Sequence, residues 1–262
     1  MNKTKICLTL TCKTLQENIE IAKKYSQYID LVELRADYLD EDECLHIRKF
    51  PRLLNIPCIL TIRRRIDGGQ YIGGEAARTM LFARAMAFAD QEMSKNFAYV
   101  DFEDDFHIPS LEDAAMAFGT KIIRSFHDME NPVTDIVKKF NSMRKTGFEI
   151  PKIAFMPHSL KDVLAVFKQA ESLKNSQQIL CAMGPLGLPT RLLSEKLNSF
   201  LTYTSPSELL GNLLEIGHTD PFTLNNVYRY RKINENTKIF GITGFPLKVT
   251  SSPELHNSNF EN

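Results

Sequence analysis

The 262-residue sequence has no excess of charge of either sign, since 32 Lys and Arg residues balance 32 Asp and Glu residues. A net charge of zero excludes a global field that would attract nucleic acid or an anionic membrane surface. No apolar run approaches the ~20 residues that a membrane span needs. No GxGxxG follows the first predicted strand, which opposes a dinucleotide-binding fold. Any site for an anion is therefore expected to be local.

The five cysteines are scattered, odd in number and without CxxC spacing. This pattern opposes both a disulfide framework and a structural metal site. Cys7 and Cys58 lie inside apolar patterns and are expected to be core thiols. The apolar stretch after residues 1–5 is too short for the core of a signal peptide. We therefore expect a cytoplasmic protein that needs no metal and no cofactor.

Apolar runs alternate with amphipathic stretches along most of the chain. Eight runs are typical of strands: Lys5–Thr11, Asp30–Arg35, Pro57–Arg63, Phe97–Glu103, Lys121–His127, Lys152–Met156, Gln178–Met183 and Ser199–Thr204. Helices are predicted at Leu15–Tyr25, Glu75–Phe88, Val133–Arg144, Leu160–Leu173 and Thr223–Arg231. Strands separated by helices pair in parallel through right-handed crossovers. Eight strands in about 200 residues favour an α/β fold of the (β/α)8 TIM barrel type over an open doubly wound sheet.

Lys152 lies in an apolar, proline-bounded run, residues 151–157, that is typical of a buried parallel strand. Burial disfavours a charged ammonium, and a neutral amine can attack a ketone to form a Schiff base. His127 ends the preceding strand and titrates near neutral pH. Each residue also has a simpler interpretation: His127 could be a hydrogen-bonded structural residue, and Lys152 could extend its amine to the amino-terminal rim of the barrel.

Charged residues cluster where the predicted strands end, which is the face that carries active sites in such barrels. They are Glu33, Arg35, Arg63, Glu103, His127, Lys152 and, in the loop after the seventh strand, Arg191. Because arginine binds carboxylates through a two-pronged hydrogen-bonded fork, the set predicts a pocket for a small, polyhydroxylated carboxylate. Taken alone, Glu33 and Arg35 could instead form a structural ion pair.

The remaining histidines are expected to have no catalytic part, because they lie in predicted helices, loops or the end of the chain. They are His46, His107, His158, His218 and His256. A carboxylate at Asp67 or Glu103 could fix the tautomer of His127 and raise its basicity.

Five motifs follow one another in order over about residues 5–204. They are Val32-Glu33-Leu34-Arg35-Ala36-Asp37, Arg63 with Asp67-Gly68-Gly69-Gln70-Tyr71, Ser125-Phe126-His127-Asp128, Pro151-Lys152-Ile153-Ala154 with Met156-Pro157, and Met183-Gly184 with Arg191. In these motifs the chain resembles type I 3-dehydroquinate dehydratase, the Schiff-base enzyme of the shikimate pathway. The resemblance implies dehydration of 3-dehydroquinate to 3-dehydroshikimate by a homodimer, with no cofactor, nucleic acid or membrane involved.

The same resemblance implies a role for each matching residue. Lys152 would form the imine, and His127 would be the general acid and base. Substrate would be held by Thr9, Glu33, Arg35, Arg63 and Arg191. Supporting positions would be Asp67, Glu103 and Met183.

The end of the chain has a resemblance of its own. Residues 1–232 are expected to form the barrel, and 233–262 a linker and tail. Phe240-Gly241-Ile242-Thr243-Gly244, a predicted strand and turn, and Ser252-Pro253-Glu254-Leu255-His256-Asn257 resemble the opening of shikimate dehydrogenase. The nucleotide-binding half of such an enzyme is lacking, so no dehydrogenase activity is expected from this chain.

Two departures from the family pattern keep other interpretations open. Asp67 stands where the family usually has glutamate. The loop after the eighth strand, residues 215–221, reads EIGHTDP in place of a Ser-Ala-Pro-Gly-Gln motif. A dehydratase-like barrel kept as a binding module would explain the altered loop. A class I aldolase would share the lysine on the sixth strand, but it would not need the arginine-rich pocket.

Overall fold

A computed structural model of the chain describes residues 3–87, 90–144, 146–173, 177–211, 217–242, 244 and 250–260. The strands are β1 Lys5–Leu10, β2 Leu31–Arg35, β3 Cys58–Thr61, β4 Tyr99–Glu103, β5 Lys121–Asp128, β6 Ile150–Phe155, β7 Ile179–Ala182 and β8 Leu201–Thr204. All eight predicted strands are thus confirmed, with ends that shift by one or two residues.

Helices follow the strands in turn. They are α1 Leu15–Lys24, α2 Glu41–Cys44, α3 Glu75–Met86, α4 Pro109–Ala117, α5 Ile136–Met143, α6 Leu160–Ala170, α7 Gly184–Leu192, α8 Pro221–Asn226 and α9 Ser252–Asn259. Thr14 and Glu17 cap the start of α1 reciprocally, and Ser159 and Asp162 do the same for α6. These capping boxes satisfy amide groups that the first helical turn leaves without partners. Among the described residues, no helix is both long and apolar enough to cross a membrane.

The strands form one parallel sheet in the order β7-β6-β5-β4-β3-β2-β1-β8. The sheet curves until β7 and β8 meet, where the Phe200 amide donates to the Gln178 carbonyl at 2.7 Å. Further along this side of β7, two backbone amides donate to hydroxyl groups. Leu180 donates to Ser199 Oγ, and Ala182 donates to Thr190 Oγ1. The predicted (β/α)8 barrel is therefore confirmed, with a seam that side chains help to bridge.

Side chains that point into the barrel form layers, because alternate residues of a strand face the same side. The layer at the amino-terminal end is apolar and is formed by Cys7, Leu31, Ile59, Tyr99, Ile123, Ile150, Ile179 and Leu201. Two positions further along the strands lie the buried residues Thr9, Glu33, Thr61, Asp101, Ser125, Lys152, Cys181 and Tyr203. The next layer contains Arg35, Arg63, Glu103, His127, Ala154, Met183 and Ser205. Polarity thus rises toward the carboxyl-terminal mouth of the barrel.

Strand residues of the opposite parity face the helices and are almost all apolar. Leu8, Leu34 and Phe102 belong to a large cluster against the first helices, and Ile153 and Phe155 to a second cluster against α5 and α6. Burying such side chains contributes about 1.5–3 kcal/mol each. This outer core holds the strands in register and so fixes the positions of the inward-facing layers.

The chain departs from expectation after the eighth strand. The predicted helix Thr223–Arg231 is wrong in its second half, because α8 ends at Asn226 and Arg229 adopts a left-handed φ of 52°. This reversal turns Tyr230 into the core, where its hydroxyl meets Ser194 Oγ at 2.5 Å. A continuous helix would carry Tyr230 past that site.

The strand predicted at residues 238–244 is not formed in 238–242, where Ile239 and Phe240 are exposed; residue 243 lies outside the described residues. The barrel offers this segment no free edge, since β8 already pairs with β1 and adjoins β7. Ile233, by contrast, packs against the barrel core. In the tail, Asn257 of α9 donates to the Val227 carbonyl at 2.9 Å.

Candidate active site

Lys152 lies in the middle of β6 and projects into the barrel, where it is buried. Its Nζ donates to Asp101 Oδ2 at 2.9 Å and lies 3.7 Å from Glu33 Oε1. The ammonium also lies 4.5 Å from the centroid of the Tyr203 ring, a favourable cation–π distance. The alternative in which Lys152 extends its amine to the amino-terminal rim is wrong, because both carboxylates lie inside the barrel.

Arg63 is the second cation that binds Asp101. Its Nη2 lies 2.8 Å from Asp101 Oδ1, and its Nη1 donates to Glu103 Oε1 at 2.8 Å and Ser125 Oγ at 3.0 Å. Burial alone would raise the pKa of Asp101, but Arg63 and Lys152 together hold that pKa well below its ordinary value. Asp101 is therefore a carboxylate shared between two cations.

Glu33 and Arg35 face the same mouth but have different partners. Glu33 accepts hydrogen bonds from Thr9 Oγ1 at 3.2 Å and Thr61 Oγ1 at 2.9 Å, and it is the second carboxylate beside Lys152. Arg35 forms a two-pronged pair with Asp37, at 2.9 and 2.7 Å. The alternative of a structural Glu33–Arg35 ion pair is wrong. Each residue is instead oriented toward the pocket by its own partner.

His127 lies at the carboxyl end of β5, the strand beside that of Lys152, and lines the same pocket. Its Nδ1 atom is buried and has no hydrogen-bond partner in the part of the chain that the structure describes. Burial, followed by the charges of Arg63 and Lys152, lowers the pKa of His127 well below its ordinary value. The imidazole is therefore neutral at neutral pH and able to accept a proton.

The carboxylates expected to orient His127 point elsewhere. Asp67 accepts from Arg64 Nε at 2.6 Å, and Glu103 accepts from Arg63 and Arg78. Arginines on the same loop or on adjacent elements occupy both carboxylates, so neither one hydrogen-bonds the imidazole. The expectation that Asp67 or Glu103 fixes the tautomer of His127 is therefore wrong for this structure.

A single pocket collects most of the predicted site residues at the barrel mouth. Together with the solvent at its open entrance it spans about 610 Å³. Nine predicted residues line it: Thr9, Glu33, Arg35, Arg63, Asp67, His127, Lys152, Met183 and Arg191. The tenth, Glu103, lies behind Arg63. Buried Arg191 reaches the pocket from α7.

His218, for which no role was predicted, also lines this pocket. It is buried, its Nδ1 lies 2.6 Å from Ser205 Oγ, and its ring stacks on Tyr203 with centroids 6.4 Å apart. Burial, with Arg191 and Arg35 next, lowers the pKa of His218 well below its ordinary value. The position of His218 in a loop after a strand end, the same signal that singled out Arg191, could have identified it.

Other members of the site were also missed. Asp101, Tyr203 and Ser125 lie in the same layer as Lys152, one layer below the strand ends, and contact Lys152 or its carboxylate partner. The period of two would have found Asp101, since it shares a face with Glu103. Residues 212–216, including the first two of the altered 215–221 loop, lie outside the described residues.

The fold and the pocket define a class of protein: a (β/α)8 barrel enzyme with a buried lysine among arginines and carboxylates at its carboxyl-terminal mouth. Residues 6–235 match the model of the type I 3-dehydroquinase family, and the chain belongs to that family. It is 31% identical over 235 residues to 3-dehydroquinate dehydratase of Methanocaldococcus jannaschii, covering 86% of this chain and 97% of that protein. Membership favours the dehydratase interpretation over the aldolase alternative.

The chain is also similar to a longer bifunctional protein and to two solved structures. The chain is 28% identical over 268 residues to the bifunctional 3-dehydroquinate dehydratase/shikimate dehydrogenase of Arabidopsis thaliana, covering 99% of this chain but 42% of that protein. The solved type I 3-dehydroquinate dehydratase of Clostridium difficile is 23% identical, with a TM-score of 0.72 over 89% of this chain and 95% of that one. The dehydroquinate dehydratase and shikimate dehydrogenase structure from S. pombe has a TM-score of 0.67 at 23% identity, over 100% of this chain and 51% of that one. These two structures show the shared fold.

Proposed function

We propose that this pocket carries out the reaction of its family, the dehydration of 3-dehydroquinate to 3-dehydroshikimate, with Lys152 as the imine-forming residue. The observation that carries the proposal is the buried lysine between Asp101 and Glu33 in a pocket lined by a neutral histidine and arginines. A lysine in this setting is rare in a barrel interior unless it has a chemical task, because its burial requires paired charges.

The reaction follows from these groups. The Lys152 amine, once deprotonated, adds to the ring ketone, and loss of water gives an iminium that withdraws electrons from the neighbouring carbon. Neutral His127 removes a proton from that carbon, and the resulting electron pair expels the β-hydroxyl group, which leaves as water with the proton that His127 returns. Hydrolysis of the imine then releases product and restores the amine. The depressed pKa of His127 keeps its imidazole unprotonated for the first transfer.

Substrate binding divides between the ends of the pocket. Arg191, buried in the wall, is proposed to bind the substrate carboxylate through its guanidinium fork. Glu33 and Thr9 would accept and donate hydrogen bonds to ring hydroxyls. Arg35 and Arg63 contribute positive charge at the mouth, and Met183 an apolar wall.

His218 is proposed to add a further substrate contact. If Ser205 donates to Nδ1, the His218 ring carries its hydrogen on Nε2 and can donate it into the pocket. This contact would compensate in part for the serine and glutamine that the loop lacks.

A cytoplasmic location is proposed from the composition and from the state of the cysteines. All five cysteines are free, and Cys7, Cys58 and Cys181 are buried, which agrees with a reducing cytoplasmic compartment.

We keep the division into a barrel and a tail, but we place the end of the barrel after Glu235, because Ile233 packs on the core. The dehydrogenase-like character of the tail and the homodimer stay predictions.

Replacing Lys152 by Met should abolish turnover of 3-dehydroquinate and borohydride trapping together, because no amine is left to condense with the ketone. Mass spectrometry of trapped protein provides the measurement, with Lys121→Met, an exposed lysine at the start of β5, as the control. An adduct that persists in Lys152→Met, or that maps to Lys121 or Lys161, would show that the imine forms elsewhere.

Replacing His127 by Ala should lower kcat by about 10²–10⁴, the usual contribution of general acid–base catalysis, while the imine still accumulates. Rapid-quench mass spectrometry would detect that intermediate. The matched control is His158→Ala, an exposed histidine after β6. Loss of the imine together with turnover would instead place His127 in the condensation step.

Replacing His218 by Ala should raise KM about ten- to a hundredfold with kcat nearly unchanged, since a lost hydrogen bond to substrate costs about 1–3 kcal/mol. Steady-state kinetics measures the split, and Ser205→Ala should give a smaller change in the same direction. A fall in kcat at constant KM would contradict a binding role.

Truncation after Glu235 should leave dehydratase activity within a few-fold, because the barrel core ends with Ile233. Activity and thermal unfolding of the full and shortened chains provide the measurement. Loss of activity at unchanged thermal stability would mean that the tail contributes to the pocket.

A further inference from the structure

A row of alternating charges runs from outside the barrel wall to the lysine. Arg78 Nη1 lies 2.6 Å from Glu103 Oε2, and Glu103 Oε1 lies 2.8 Å from Arg63 Nη1. Arg63 Nη2 lies 2.8 Å from Asp101 Oδ1, and Asp101 Oδ2 lies 2.9 Å from Lys152 Nζ. All five residues are buried, so these charges interact with little screening by water.

Arg78 is the member of this row that does not belong to the barrel. It lies on α3, is fully buried, and donates from Nη1 to the Ile62 carbonyl at 3.0 Å as well as to Glu103. Its guanidinium lies 4.5 Å from the centroid of the Phe106 ring. On its outer side it donates to the half-exposed carboxylate of Glu75. Several contacts therefore fix Arg78 in position, and none of them is with the pocket itself.

We propose that Arg78 is a positioning residue for the dehydration: it shares Glu103 with Arg63, keeps Arg63 on Asp101, and thereby limits how firmly Asp101 holds the proton of Lys152. The inference rests on the proposed function of Lys152 as the imine-forming residue. It adds a residue outside the strand wall that acts on the imine-forming lysine through Glu103, Arg63 and Asp101.

Arg78 and Arg63 share the negative charge of Glu103. With Arg78 present, two guanidinium groups neutralise the carboxylate of Glu103, so Arg63 is available to offset the negative charge of Asp101. Without Arg78, Glu103 depends on Arg63 alone, and the row has one positive charge fewer. Asp101 then acts more strongly on Lys152, and the ammonium must lose its proton against a larger attraction.

Other groups around Lys152 remain in place when Arg78 changes. Glu33 is the second carboxylate beside the ammonium. Among the described residues, the other titratable or charged groups that line the pocket or lie just beneath it are Cys7, Arg35, Asp67, His127, Cys181, Arg191, Tyr203 and His218. They lie on other strands or at the mouth, and among the described residues Arg78 contacts none of them. A change in pH dependence would therefore arise through Glu103.

The test compares Arg78→Met with Arg124→Met. Arg124 is a matched control, because it is equally buried and pairs with the carboxylate of Glu112, but it reaches Glu103 only at its backbone carbonyl. The measurements are the pH profile of kcat/KM and the pH dependence of borohydride trapping. We expect the acid limb of both profiles to move to higher pH by about one unit in Arg78→Met, with turnover at neutral pH lower by roughly tenfold and recovering at alkaline pH.

Arg124→Met should lower thermal stability without moving either profile, and Arg78→Lys should return the profiles toward those of the unchanged chain. Arg78→Gln keeps a donor for Glu103 but removes the charge, and it provides the same test if Arg78→Met does not fold. Profiles that stay in place in Arg78→Met and Arg78→Gln would overturn the inference, even if activity falls. Absence of trapping in the unchanged chain would instead contradict the proposed function.

Discussion

A positive charge inside a barrel must be matched by negative charges, and those in turn need further positive charges. Here the ammonium of Lys152 lies between Asp101 and Glu33, and Asp101 also binds Arg63. Removing one partner from a buried ion pair typically lowers the stability of a protein by about 3–5 kcal/mol. Each member of the row therefore depends on its neighbours. The polar middle layer of the barrel is thus an electrostatic unit, and the apolar layer beneath it provides the packing that keeps it rigid.

This unit also explains why the pocket has histidines of low proton affinity. Burial and the neighbouring cations act in the same direction on His127 and His218, and both pKa values lie well below the ordinary one. A neutral base and a lysine that must shed its proton can therefore coexist in one small cavity. The same cations that depress the histidines are needed to balance the carboxylates, so one arrangement of charge serves both purposes.

Much of the architecture could be predicted because it depends on local rules. The apolar runs and intervening amphipathic stretches predicted all eight strands, and the strand-end rule placed His127 and Arg63 at one mouth, although Lys152 lies in the middle of its strand. What could not be predicted depends on long-range pairing. Nothing local distinguishes Arg78 from a surface helix residue, and nothing local shows that Asp67 pairs with Arg64 rather than His127. The tail strand failed for a topological reason, since a barrel has no edge to pair with it.

The hydroxyl-bridged seam has a mechanical consequence. Leu180 of β7 donates to Ser199, just before β8, whereas Ala182 donates to Thr190 of α7. Among the described residues, fewer backbone hydrogen bonds therefore join β7 to β8 than join the strands of a continuous ladder. Thr190 precedes Arg191 on α7, so the hydrogen bond from Ala182 ties the start of that guanidinium's side chain to the end of β7. Beside the buried charges, the wall that carries Arg191 is thus secured by a helix in place of a neighbouring strand, since Thr202 of β8 also donates to the Arg191 carbonyl.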